Sequence, residues 1–219
     1  MVLHAESRDC YVDDMQEKRS GLMNWKTVPT CKALFLPRIK GGLRDRGVLA
    51  IVAELQKAGD KQAKLEEVDL AGNAIGANGA TALASWINVS TKLRAIELRG
   101  NSLGDEGVSE LASAIGNSLT LNDLGLAQTD MSDAGAEALA TALRGATALA
   151  SLQLSNNYIG RVGGKALADA ITSNGALRLV KYAIERNLGS PTPDVEDTAR
   201  VEAHIKLVKR RPVSRAEEL

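Results

Sequence analysis

The sequence repeats with an unbroken period of 28 residues. Successive blocks begin at Leu65, Leu93, Leu121, Leu149 and Leu177, without insertion or deletion; four are nearly complete and the fifth is partial. A period of this length is typical of units that bury their apolar faces only by stacking on their neighbours. The sequence therefore predicts an array of stacked units.

Each block opens with a predicted strand and a turn. Its fourth and sixth positions are apolar and alternate with other residue types, which is the pattern of a strand with one buried face. In a turn, a short polar side chain can bond backbone groups that would otherwise lack partners. The ninth position fits this role, and stacking is expected to make it a ladder of Asn73, Asn101, Thr129 and Asn157.

A helix is predicted after the turn. Positions 16, 19, 20 and 23 of each block are mostly apolar and lie on one helical face; in the second block they are Val108, Leu111, Ala112 and Ile115. Because helices are wider than the spacing of strands, about 4.8 Å, stacking splays the helices apart. We expect an α/β solenoid, a horseshoe arc with parallel strands on the concave side and helices on the convex side.

The combined pattern, L-x-x-L-x-L-x-x-N-x-I/L-G-x-x-G followed by A-x-x-L-A-x-x-I/L, resembles the ribonuclease-inhibitor-like subfamily of leucine-rich repeats. The resemblance implies the curved fold and a protein-binding role. Such a motif is specific for fold and says little about the individual partner.

Four segments follow from the pattern: an irregular N-terminal extension over 1–30, an atypical N-terminal capping repeat over 31–64, the regular repeats over 65–188, and a linker with a C-terminal helix over 189–219. Two interpretations of the tails remain open, as caps on the array ends or as docking elements for a partner. Their candidate docking residues are Tyr11, Trp25, Lys206, Lys209, Arg210 and Arg211.

Composition excludes several other functions. Lys and Arg together number 27, as do Asp and Glu, so no overall field attracts nucleic acid or an anionic membrane. No window is long and apolar enough to span a bilayer. The sparse cysteines, Cys10 and Cys31, are expected to be reduced thiols in a reducing compartment. His4 and His204 have no neighbouring ligand cluster, so we expect no metal, cofactor, small-molecule substrate or enzymatic activity.

The concave face offers the other candidate site. The third and fifth positions of each block point away from the core, and in the N-terminal half they are mainly acidic. This predicts a basic element of a partner as ligand, with a solvated, ligand-free face as the alternative. The candidate residues are Glu67, Asp69, Glu97, Arg99 and Asp123.

Two functions are compatible with these features. The first is a non-catalytic interaction or scaffold subunit, fixed in a multi-subunit assembly such as ciliary or flagellar machinery and located in the cytoplasm. The alternative is a small-GTPase regulator resembling the Ran-activating protein, for which Arg99 and Asn101 would be examined first. Neither residue can be matched to a functional position of that family.

Overall fold

The computed structural model describes residues 8–11, 25–39, 41–59, 63–177 and 179–181. Seven parallel strands form one sheet in chain order. The strands are β1 Arg8–Tyr11, β2 Cys31–Phe35, β3 Glu67–Asp69, β4 Ala95–Glu97, β5 Asp123–Gly125, β6 Ser151–Gln153 and β7 Leu179–Lys181. The helices are α1 Arg44–Ala58, α2 Ala77–Ile87, α3 Gly104–Asn117, α4 Asp133–Leu143 and α5 Arg161–Ser173, and a short 3-10 helix spans Trp25–Thr30.

Strand register follows the sequence period. Val68 pairs with Ile96, and Ile96 with Leu124, so that each partner lies one block further along the chain. The apolar positions of strands and helices meet in one continuous core, in which Leu98, Leu111 and Leu139 are fully buried. The predicted α/β solenoid is therefore confirmed.

The ninth-position ladder is present. The Oδ1 atom of Asn101 accepts the N–H groups of Asn73 and Ile75, both at 3.0 Å, and its Nδ2 donates to the carbonyls of Leu70 at 3.0 Å and Leu98 at 2.7 Å. One side chain thus ties its own turn to the preceding one. The ladder consists of Asn73, Asn101, Thr129 and Asn157, all buried.

Aspartates from neighbouring units cap several helices, a feature that the sequence analysis did not identify. The Oδ1 of Asp105, in the first turn of α3, accepts the N–H groups of Ser132 at 2.7 Å and Gly135 at 3.0 Å at the start of α4. Asp133 bonds Gly160 and Gly163 in the same way. A Cβ at position 135 would lie 2.7 Å from the Asp105 carboxylate, so glycine is needed there.

Two regular elements occur in the described part of the N-terminal segment, where the sequence indicates none. Strand β1 and the 3-10 helix both lie within the segment 1–30, and β1 pairs with β2. The expectation of reduced thiols is wrong, because Cys10 and Cys31 form a disulfide with their Cα atoms 5.7 Å apart. The expectation rested on the small number of cysteines, whereas pairing depends on proximity, which β1 creates beside β2. Residues 182–219, including the predicted C-terminal helix, lie outside the described residues.

Replacement of the ladder asparagine tests its structural importance. Asn101→Ala leaves buried backbone donors and acceptors without partners, and we expect it to lower the free energy of unfolding by about 3 kcal/mol. Urea denaturation followed by circular dichroism measures this loss. The exposed neighbour supplies a control, since Ser102→Ala should change stability by less than about 0.5 kcal/mol. Similar effects of the two changes would contradict the role assigned to the ladder.

The capping aspartate should give a pH-dependent signature. Burial alone would raise the pKa of Asp105, but hydrogen bonds from the Ser132 side chain, the Ser132 backbone and the Gly135 backbone together hold it below its ordinary 3.8. Its stabilising contribution is therefore complete above that value and is lost as pH falls through the lowered pKa of the folded state. Asp105→Asn should cost about 1 kcal/mol at neutral pH.

Urea titrations of the Asp105→Asn variant at neutral and acidic pH provide the measurement. The stability difference from the parent should shrink as pH falls below the ordinary value. Glu106→Gln, at the next and exposed position, is the control for charge alone. A loss of the same size in both variants, or one independent of pH, would rule out a capping role.

Candidate acidic site on the sheet face

The outward-facing side of the sheet carries two rows of side chains, because strand register aligns equivalent block positions. The central row runs across β2 to β6, and the flanking row lies two residues earlier on each strand. In the central row are Phe35, Asp69, Glu97, Gly125 and Gln153. In the flanking row are Ala33, Glu67, Ala95, Asp123 and Ser151.

Four carboxylates concentrate on the three consecutive strands β3 to β5. Glu67, Asp69, Glu97 and Asp123 form what we term the acidic patch, and all four line one shallow depression with Phe35 at its N-terminal end. Within the described part of the chain, none of the four forms a salt bridge. The structure therefore brings together four of the five predicted concave-face residues and places neutral Ser151 and Gln153 beyond them.

Glu97 occupies the centre of the patch. Its Oε1 accepts the backbone N–H of Arg99 at 2.8 Å, and its carboxylate lies over Gly125 on the adjacent strand. A Cβ at position 125 would overlap that carboxylate, so the missing side chain of Gly125 creates the space that Glu97 occupies.

This environment disfavours the charged form of Glu97. Burial raises the pKa of Glu97 above its ordinary 4.5, and the charge of Asp69 raises it further. The Arg99 backbone hydrogen bond and the Arg99 charge oppose these effects without cancelling them. The folded protein therefore favours the protonated form of Glu97 more than an exposed position would.

Asp69 and Arg99 are the two charged residues that act on Glu97. The Oδ1 of Asp69 accepts the Ala71 N–H at 2.9 Å, which fixes that carboxylate as the Arg99 N–H fixes Glu97. The Arg99 side chain is directed elsewhere, since its Nε donates to the Gln128 Oε1 at 3.0 Å. Asn101, examined with Arg99 for the GTPase-regulator alternative, is buried in the ladder.

The structure describes only some of the predicted tail residues. Tyr11 is 53% exposed and stacks on Phe35, with ring centroids 5.2 Å apart, at the N-terminal end of the central row. Trp25 begins the 3-10 helix, and its side chain lies outside the described part. The four basic residues also lie outside the described residues: Lys206, Lys209, Arg210 and Arg211.

Sequence reasoning missed three contributors to the site. Phe35 lies in the atypical first repeat, where the 28-residue period does not align it with Asp69. Gly125 is a glycine in a predicted strand and has no side chain to suggest a role. Gln128 lies in a predicted turn, where polar residues are common. The register of neighbouring strands is the signal that identifies the first two.

Metal-ligating clusters and membrane-spanning helices are absent from the part of the chain that the structure describes. It contains no group of three or more His, Cys, Asp or Glu side chains arranged to hold a metal ion. It also contains no helix with the length and apolar character required to cross a membrane.

Comparison with known proteins identifies the repeats. The model for "Leucine Rich repeat" matches residues 61–84, 89–112 and 145–168. No curated protein matches the chain. Together with the parallel sheet and the buried ladder, the three stretches that match the repeat model establish the class as a repeat solenoid. The matched stretches of this chain are leucine-rich repeats, and repeat arrays use an extended concave surface to bind other proteins.

Two solved structures are similar to this chain. A structure titled "Leiomodin-1 Actin-Binding Site 2 (ABS2)" is 17% identical, with a TM-score of 0.53, over 59% of this chain and 72% of that one. The tropomodulin C-terminal domain of Caenorhabditis elegans is 15% identical, with a TM-score of 0.49, over 91% of this chain and 92% of that one. At 17% identity, the likeness to the leiomodin structure concerns the fold alone.

Neutralising Glu97 should stabilise the protein. Because its folded pKa is raised, the associated stability is present below about 4.5 and is lost as pH rises through the raised value. Glu97→Gln removes this loss, so we expect a higher urea midpoint at neutral pH and a flatter stability profile across that window. Glu67→Gln, at an exposed position, should change stability by less than about 0.5 kcal/mol. A destabilised Glu97→Gln variant would contradict the assignment.

Proposed function

We propose that this protein is a non-catalytic binding subunit whose acidic patch receives a basic segment of another protein. The observation that carries the proposal is the group of four carboxylates on three adjacent strands, none of them in a salt bridge within the described residues. Complementary charge across an interface increases the association rate and selects the partner.

The energetics of Glu97 support a cationic ligand. In the free protein this carboxylate ionises reluctantly because it is partly buried and lies near Asp69. A lysine or arginine side chain placed between Asp69 and Glu97 would stabilise both negative charges. The free protein therefore bears an electrostatic cost that binding would relieve.

The shape of the site favours an elongated ligand. The patch spans β3 to β5, and adjacent strands lie about 4.8 Å apart, so successive basic side chains of one segment can reach different strands. Phe35 and Tyr11 add an aromatic surface at one end, where an arginine could stack. An extended or helical basic segment meets these requirements.

We place this subunit in a larger protein assembly. The concave binding surface common to such arrays supports the partner class. Ciliary or flagellar machinery and the cytoplasm remain the proposed setting, on the resemblance of the repeats alone. Cross-linking mass spectrometry after affinity purification would test it, because a partner's basic segment should cross-link near the patch.

Binding of a defined probe tests the patch directly. A fluorescent ten-residue peptide of alternating Arg and Ala should bind the full chain, as measured by anisotropy, and binding should weaken as salt rises. Asp69→Asn combined with Glu97→Gln should lower the affinity about tenfold, which corresponds to about 1.4 kcal/mol.

The matched control changes net charge equally but elsewhere. Glu110→Gln combined with Glu137→Gln removes two exposed carboxylates from α3 and α4, and it should alter affinity less than about twofold. Equal losses in the two double variants would mean that the peptide responds only to net charge. Absence of binding to the parent chain would refute the proposal.

A further inference from the structure

In the described part of the chain, strand β1 is the first strand of the sheet. It contains four residues, pairs with β2, and has an irregular register between Arg8 and Asp9. Within the described chain, no strand pairs with its other edge. Elements at the end of an array open more readily than those at its centre, because they pack on one neighbouring unit instead of two.

A disulfide joins β1 covalently to β2. Cys10 of β1 is bonded to Cys31 of β2 across 21 residues of sequence, and both residues are fully buried. The inner repeats do not depend on the bond, since ladder contacts and helix caps join each of those units to the next.

The position of β1 affects the acidic patch through Tyr11. This side chain is carried by β1, next to Cys10, and stacks on Phe35. Phe35 in turn lines the same depression as Asp69 and Glu97. If β1 leaves the sheet, the stacked ring is lost and the N-terminal end of the site is reshaped.

We infer that the Cys10–Cys31 bond is a redox latch that holds β1 in place and thereby maintains the N-terminal end of the binding site. The effect on binding rests on the proposed function, whereas the latch itself does not. Regulation follows from position, because the bond joins the first strand of the described sheet to the strand that carries Phe35.

The chemistry is thiol–disulfide exchange with a dithiol reductant. A thiolate of the reductant attacks one cysteine sulfur, the S–S bond breaks, and a mixed disulfide forms. The second thiol of the reductant then displaces the cysteine, so that the reductant becomes a disulfide and Cys10 and Cys31 gain two electrons and two protons. Because both cysteines are buried, β1 must open locally before attack.

Hydrogen exchange measured by mass spectrometry on the full chain tests the latch without any ligand. After treatment with dithiothreitol, amides in 8–11 and 31–35 should exchange about tenfold faster, while those in 121–126 should remain unchanged. Cys10→Ser combined with Cys31→Ser should show the faster exchange with or without reductant. Circular dichroism checks that this variant folds, and reduction of the parent chain provides the same test independently.

The Arg-Ala peptide then tests the consequence for binding. Reduction should lower its affinity for the parent chain about threefold, through loss of the stacked ring, and should not affect the double-serine variant. Unchanged exchange in 8–11 and 31–35, or faster exchange in 121–126 as well, would overturn the latch. Faster edge exchange with unchanged affinity would overturn its regulation of the site. If the oxidised chain binds no peptide, the proposed function fails, whereas the exchange result still decides whether the latch exists.

Discussion

The hydrogen bonds made by buried asparagines in the turns are the interaction on which the rest of this structure depends. Each strand is only three residues long in the regular units, too short to set its register by backbone pairing alone. The side chains of Asn73, Asn101 and Asn157 add bonds to both their own turn and the preceding one. Thr129 keeps the position polar and donates to the Leu126 carbonyl.

Fixed register has a direct consequence for the exposed face. Since each block position stacks on its equivalent, residues 28 apart become neighbours, and the acids scattered through the sequence become one patch. The same constraint pairs Glu97 with Gly125, where the glycine leaves room for the carboxylate. An acidic surface is thereby built from residues that lie outside the apolar core.

The period explains why most of the fold could be predicted. Strand positions, helical faces and the ladder depend on spacing within one block, and spacing is visible in the sequence. The disulfide, the Asp105 cap and the contact between Glu97 and Gly125 depend on which atoms meet between units. The first repeat adds a further difficulty, because its register pairs Phe35 with Asp69, which lies 34 positions (69 − 35) along the chain. Phe35 therefore falls outside the 28-residue alignment.

Stability and binding place opposite demands on this surface. Burial near Asp69 makes the charge of Glu97 unfavourable in the free protein, so a sequence selected for stability alone would not concentrate carboxylates here. The repeat architecture can tolerate this cost, because the ladder, the caps and the apolar layers hold each unit independently of the outward-facing side chains. The proposed cationic partner would account for the acidic patch, which the requirements of folding do not explain.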